Sequence, residues 1–182
     1  MKTYYLFVLL LLISVTASAV GYSGDGTRLS AGLFQSTKGI GLSLGSRFEG
    51  NKYRSFSAIL DLDGVLSGRS SSGGIKIRYT GNRILKEWNS NPELNTLIFV
   101  GSGFTAGYVR DSELHMGLMA GVSGVAGVRF DFISKLSLKL EWELDIAPHI
   151  YRSFDTKTFE LGIYDNGFKK IYVPQLTISY RF

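Results

Sequence analysis

Glu141, Glu143 and Asp145 occupy every second position of one short stretch, with Lys139 just before them. Neighbouring carboxylates are the groups from which general acid–base pairs and oxygen-rich metal sites are built. Spacing by two on an extended strand, however, sets such side chains about 7 Å apart along one wall. With Lys76 and Arg78 available to face them, they read as a salt-bridged ladder, because unpaired buried charge is costly. The two histidines, His115 and His149, raise the question of nucleophilic catalysis, which needs a serine within hydrogen-bond reach of the ring. The pairing offered by His149 is Ser153, four residues on; His149 reads as a strand-end residue at a rim and His115 as a solvated loop residue. Gly101, Gly103 and Gly107 suggest a phosphate loop only faintly, since no helix follows them. With no cysteine, thiolate metal sites and disulfides are excluded. No catalytic, cofactor or metal residue is assigned.

Period-two alternation dominates the chain, and that is the signature of half-buried strands. It is cleanest over 136–146, where Leu136, Leu138, Leu140, Trp142, Leu144 and Ile146 oppose Ser137, Lys139, Glu141, Glu143 and Asp145. No stretch has a capped 3.6 period. The pattern predicts about eight strands, near 27–36, 39–48, 53–66, 73–82, 95–109, 115–132, 136–148 and 169–182. The assignment at 95–109 rests on less, because Leu97-Ile98-Phe99-Val100 is apolar on both faces. Connections fall into two sets: 49–52, 89–93 and 133–135 on one side, and 36–39, 67–73, 110–113 and the long stretch 149–168 on the other. The fold class is all-β, an antiparallel up-and-down barrel of eight strands.

Two kinds of barrel share this alternation. A lipocalin turns its apolar face inward around a ligand, whereas a membrane barrel turns it out to lipid and keeps a polar lumen. The polar face here carries both signs in near balance. Asp61, Asp63, Asp131, Glu141, Glu143 and Asp145 stand against Arg47, Lys76, Arg78, Arg129, Lys139 and Arg181. A narrow lumen demands such balance, because confined charge must be paired or hydrated. Aromatic residues near strand ends (Phe48, Tyr53, Tyr79, Phe130, Phe132, Trp142, Tyr180, Phe182) suit the girdles at the membrane interfaces. The lipocalin's opening Gly-x-Trp and its helix after the barrel are missing. The predicted architecture is therefore a transmembrane barrel with a salt-bridged lumen.

The ends fit that reading. Residues 1–19 combine Lys2, the apolar run Leu6–Val15 and Ala17-Ser18-Ala19, which predicts a secretory signal and a mature chain from about Val20 to 182. The last stretch alternates through Leu176, Ile178, Tyr180 and Phe182. It resembles the terminal-strand signal of Gram-negative outer-membrane proteins, an alternating strand ending in aromatic-x-Phe. The whole mature chain resembles small eight-stranded outer-membrane β-barrels of OmpA/OmpX size, and more narrowly the short outer-membrane barrels of Bacteroides-like bacteria. The stretch that carries the narrower likeness is KEWNSNPELNTLIFVGSGFTAG, a strand, a turn with Trp, Asn and Pro, and a glycine-spaced strand.

That resemblance implies a cell-envelope protein of the outer membrane with a structural, envelope-integrity or surface-interaction role. Its lumen would be filled, so it would not be a general porin, and it would have no enzymatic activity or cofactor. The implied partners are outer-membrane lipid and lipopolysaccharide, with the barrel-assembly machinery reading Leu176, Ile178, Tyr180 and Phe182 during insertion. Cationic residues on the loop-bearing side (Lys38, Arg69, Arg110, Arg152, Lys157, Lys169, Lys170) are candidates for lipopolysaccharide phosphates. A monomer is expected. Nucleic acid is not, since the net charge of +5 is scattered rather than clustered. The alternatives are a lipid-modifying enzyme of the lipid A deacylase kind, whose His-x-Ser spacing is absent here, and a secreted lipocalin-like ligand carrier. The helix that precedes an outer-membrane palmitoyltransferase barrel finds no match in residues 20–27, which are short and glycine-rich.

Overall fold

Alternating side chains commit the chain to strands, and antiparallel pairing of neighbours along the sequence rolls those strands into a closed wall. The computed structural model describes residues 28–47, 51–66, 68, 72–91, 93–111, 115–132, 135–153, 158–166 and 174–182. The strands are β1 (Arg28–Ser36), β2 (Gly39–Arg47), β3 (Lys52–Asp61), β4 (Gly74–Asn91), β5 (Leu94–Arg110), β6 (Met116–Phe132), β7 (Leu136–Arg152), β8 (Phe159–Asn166) and β9 (Pro174–Arg181), with one helical turn, α1 (Asp63–Leu66), after β3. Each strand from β1 to β7 pairs antiparallel with its successor. β9 then pairs with both β7 and β1 and closes the ring. β8 and β9 lie end to end along β7, β9 on Leu136–Trp142 and β8 on Asp145–Arg152, so the nine described segments make eight staves. The connections after β1, β3, β5 and β7 share one rim, called here the upper rim. Those after β2, β4 and β6, together with Arg28 and Phe182, share the lower rim.

Several boundaries differ from the sequence expectation. The strand expected over 53–66 stops at Asp61: the Leu62 amide donates to the Lys38 carbonyl at 2.7 Å, and Leu66 closes a helical turn on Leu62 at 2.8 Å. The strand expected to end at 82 continues to Asn91. Irregularities at Ile84/Lys86 and Asn89/Asn91 break the alternation while the pairing with β5 continues. The stretch 149–168, expected as one long connection, is mostly strand, since β7 runs to Arg152 and β8 occupies Phe159–Asn166. Of the last expected strand, Pro174–Arg181 is strand, and residues 169–173 lie outside the described residues. The expected signal at 1–19 and the start near Val20 lie outside the described residues.

The two faces of the wall have opposite chemistry. Large apolar side chains cover the exterior, among them Leu42, Leu60, Ile75, Phe104 (71% exposed), Leu118 and Leu161. Inside lie Lys76, Arg78, Lys139, Glu141, Glu143 and Asp145, all buried. A soluble protein arranges its faces the other way round; lipid outside and a paired polar interior is the membrane-barrel solution. Tyr53, expected at an interface, points inward, as its parity with Ser55 and Ser57 requires, and packs edge-on against Phe99 at 5.6 Å.

Candidate functional site

The lumen is the site. β4 brings Lys76, Arg78, Thr80 and Asn82 to the interior at successive inward positions, and β7 brings Lys139, Glu141, Glu143 and Asp145. These strands are not neighbours, because β5 and β6 stand between them. Small residues on the intervening strands open the way across. The inward positions of β5 include Gly103, Thr105 and Gly107, and those of β6 include Gly121 and Ser123. A Cβ at Gly103 would collide with the Tyr79 carbonyl oxygen of β4, so glycine also permits the close approach of these two strands.

Across that gap the charges interlock. The Lys76 ammonium donates to Glu143 and, at 2.6 Å, to Asp145 Oδ2. The Arg78 guanidinium forks, Nη1 to Glu143 Oε2 and Nη2 to Glu141 Oε1, each at 2.5 Å. Lys139 Nζ donates to Glu141 Oε2 at 2.8 Å. Gln175, on the inward face of β9, completes the knot: its amide nitrogen donates to Glu143 and its oxygen accepts from Arg78 Nη2 at 3.3 Å. Three cations thus meet three carboxylates, with side chains between 0% and 8% exposed. Such a cluster is held by mutual compensation, since removing one member leaves its partners desolvated and unpaired. Gln175 is absent from the candidates that charge singles out in the sequence; its parity with Thr177, Ser179 and Arg181 is the signal that could find it.

Apolar clusters flank the ion knot. Toward the lower rim, Tyr53, Ile84, Leu97, Phe99 and Val125 pack together. Toward the upper rim, Val109, Met119, Ala147 and Tyr164 do the same. This accounts for the doubly apolar stretch 97–100: Leu97 and Phe99 line the lumen while Val100 is exposed outside. Below the lower cluster, Asp131 accepts from Ser137 Oγ at 2.7 Å and from Arg129 Nη2 at 3.0 Å, with Arg181 Nη1 at 3.4 Å.

The remaining candidates separate from this network. Asp61 is buried at the upper end of β3 and accepts the Asp63 amide at 3.2 Å, whereas Asp63 itself sits in α1. Lys38 leans over the upper opening with Nζ 5.4 Å above the Tyr164 ring; burial lowers its pKa against the pull of Asp61. Arg152 is exposed at the end of β7, and Arg110 Nη2 donates to Ser72 Oγ at 3.3 Å. Arg69, Lys157, Lys169 and Lys170 lie outside the described residues. On β9, Leu176 and Tyr180 are exposed and Ile178 is half-buried, and the Tyr180 and Phe182 rings meet edge to face at 5.3 Å. The histidines converge more than their separation in sequence suggests. Asp111 Oδ2 is 3.2 Å from His115 Nδ1 and 3.5 Å from His149 Nδ1, and His149 Nε2 faces the Val109 carbonyl at 3.3 Å. His149, expected at the strand's end, is fully buried within β7, which continues to Arg152, and His115 stacks on Tyr151 at 4.3 Å.

No family model matches the chain, and no curated protein sequence does. Solved structures do. The N-terminal β-barrel domain of Pseudomonas aeruginosa OprF superposes with a TM-score of 0.54 at 11% identity, covering 88% of this chain and 100% of that one. A major outer membrane protein from Thermus thermophilus gives 0.46 at 13% identity, over 87% and 100% of the two chains. Ail, the attachment invasion locus protein of Yersinia pestis, gives 0.43 at 15%, again over 87% and 100%. The match to the OprF domain, joined to the apolar exterior and ion-paired interior, establishes the architecture: the chain is a small eight-stranded transmembrane β-barrel of the outer-membrane type.

Proposed function

We propose that the chain is an integral protein of a Gram-negative outer membrane, exported by residues 1–19, with a structural, envelope-integrity or surface-interaction role and no enzymatic activity. The observation that carries this reading is the packing of the lumen. The ion knot of Lys76, Arg78, Lys139, Glu141, Glu143 and Asp145 lies between two apolar clusters, which supports a plug over a diffusion channel. The reading makes the barrel a monomer held in lipid. Its upper rim faces outward toward lipopolysaccharide, with Lys38 and Arg152 near the phosphates. The terminal residues Leu176, Ile178, Tyr180 and Phe182 serve as the assembly signal, a role that suits β9 as the strand closing the ring on β1.

Fractionation tests this directly. The native protein is expected in the outer-membrane pellet, resistant to carbonate extraction, and its unboiled form should migrate differently from its boiled form in detergent gels. Recovery as a soluble, extractable protein would refute the membrane assignment and favour a secreted ligand carrier.

A further inference from the structure

Charge on the lipid-facing side of a membrane barrel is tolerated only near an interface, so its position carries information. Around the lower half of this wall the outward strand positions include Leu29, Leu44, Ile98, Phe130, Leu138 and Tyr180. β3 and β4 break that apolar belt. Lys52 and Arg54 alternate with the buried Tyr53 and Ser55, and Arg83 stands between the buried Asn82 and Ile84, so all three point outward and are exposed. Lys52 and Arg83 are direct cross-strand partners, and Arg54 pairs with Gly81, two residues from Arg83. Neighbours so placed have side-chain bases about 5–8 Å apart, and like charges set directly opposite repel. Neither Lys52 nor Arg83 has an ion-pair partner among the described residues. Trp88, further down β4 with Lys86 Nζ 4.8 Å from its ring, is the residue type that settles at headgroup level.

Toward the upper rim from these cations the wall carries little bulk. A Cβ at Gly81 would meet nothing closer than the Ser102 carbonyl oxygen at 4.0 Å. Gly81, Ser102 and Gly124 lie in register on β4, β5 and β6. Two residues further up, at Tyr79 and Phe104, begins an outer-wall hollow of about 450 Å³, bordered also by Phe56, Ile77, Ala106 and Ala120. Adjacent cations at headgroup depth ask for an anion, and an apolar groove leading away from them asks for a hydrocarbon chain attached to it. A phospholipid with a net negative headgroup supplies both, and basic clusters at a membrane surface select such lipids.

We propose that β3 and β4 carry a binding site for an anionic diacyl phospholipid of the leaflet at the lower rim. Lys52, Arg54 and Arg83 hold the headgroup phosphate, and one acyl chain lies over Gly81 and Ser102 into the hollow. This rests on the outer-membrane reading, in which the lower leaflet is the one opposite lipopolysaccharide.

The test uses the full barrel refolded in neutral detergent micelles, given equal amounts of phosphatidylglycerol and phosphatidylcholine and examined by native mass spectrometry. Altered migration of the unboiled protein confirms a folded barrel in every sample, so a lost lipid adduct reads the site and not the membrane assignment. Phosphatidylglycerol is expected to be retained in preference. Lys52→Gln and Arg83→Gln should each weaken its retention by about fivefold, the equivalent of one basic residue at an anionic surface. Lys38→Gln, at the opposite rim, should leave it unchanged. Gly81→Leu projects into open space and keeps every charge; it should weaken retention of long-chain phosphatidylglycerol and spare the dihexanoyl form. Equal retention of the two lipids, preference for lipid A over phosphatidylglycerol, or undiminished retention in both cation variants would overturn the proposal.

Discussion

Arg78→Gln is expected to cost about 3–5 kcal/mol, the range for breaking a buried ion pair by removing one partner. Arg78 is 2% exposed and is the hub of the lumen knot, forked between Glu141 and Glu143 at 2.5 Å each. Its loss leaves two buried carboxylates to Lys76, Lys139 and Gln175, none of which can reproduce the fork. The cost should fall when the charge demand falls with it. In the double variant Arg78→Gln/Glu143→Gln the two effects should combine to less than their sum, since coupling between members of one network is about 0.5–3 kcal/mol. Chemical unfolding in lipid vesicles, followed by the fluorescence of Trp88 and Trp142, measures this. Strict additivity would mean that the ladder of charges does not act as a unit.

The second large effect lies on the opposite face of β7, the strand that supplies the carboxylates. Leu140 points outward from β7 in register with Val128 of β6 and Leu176 of β9. Arginine there should cost about 2–4 kcal/mol if this band meets the bilayer midplane, falling to about 0–1 kcal/mol near an interface. Phe159, 78% exposed at the upper end of β8, supplies the near-interface comparison. Leu140→Arg should therefore destabilise the vesicle-embedded barrel by at least about 1 kcal/mol more than Phe159→Arg, given those two ranges. Equal costs at the two positions would show that Leu140 does not sit at hydrocarbon depth.

Alternation made most of this wall legible. Over 136–146 the residue types alone separate the two faces, because lipid tolerates only apolar side chains on one and mutual pairing governs the other. The lumen charges were legible for the same reason, and Lys76, Arg78, Glu141, Glu143 and Asp145 do meet. Parity could not reveal depth along the strand. Asp63 shares its parity with Asp61 but falls in a helical turn, because the chain has already left the wall at Leu62. The split of the eighth stave into β8 and β9 was hidden as well: Phe159, Leu161 and Ile163 alternate, but their partner is the upper half of β7, a pairing set by strand length rather than by local pattern. The meeting of His115 and His149 around Asp111 is a tertiary event between β7 and the β5–β6 connection. Sequence spacing carries no trace of it.

The central claim is that the lumen is closed, and conductance across a planar bilayer tests it most directly. An eight-stranded barrel has an interior just wide enough for side chains to fill, and here that interior holds interlocked ions between two apolar clusters. The unmodified protein is expected to show negligible conductance, with at most small and infrequent openings. Lys76→Gln/Arg78→Gln should raise the leak as it lowers stability, because the facing acids lose the cations that draw them across the lumen. Steady, large conductance from the unmodified protein would contradict the plugged barrel and require an open or oligomeric pore.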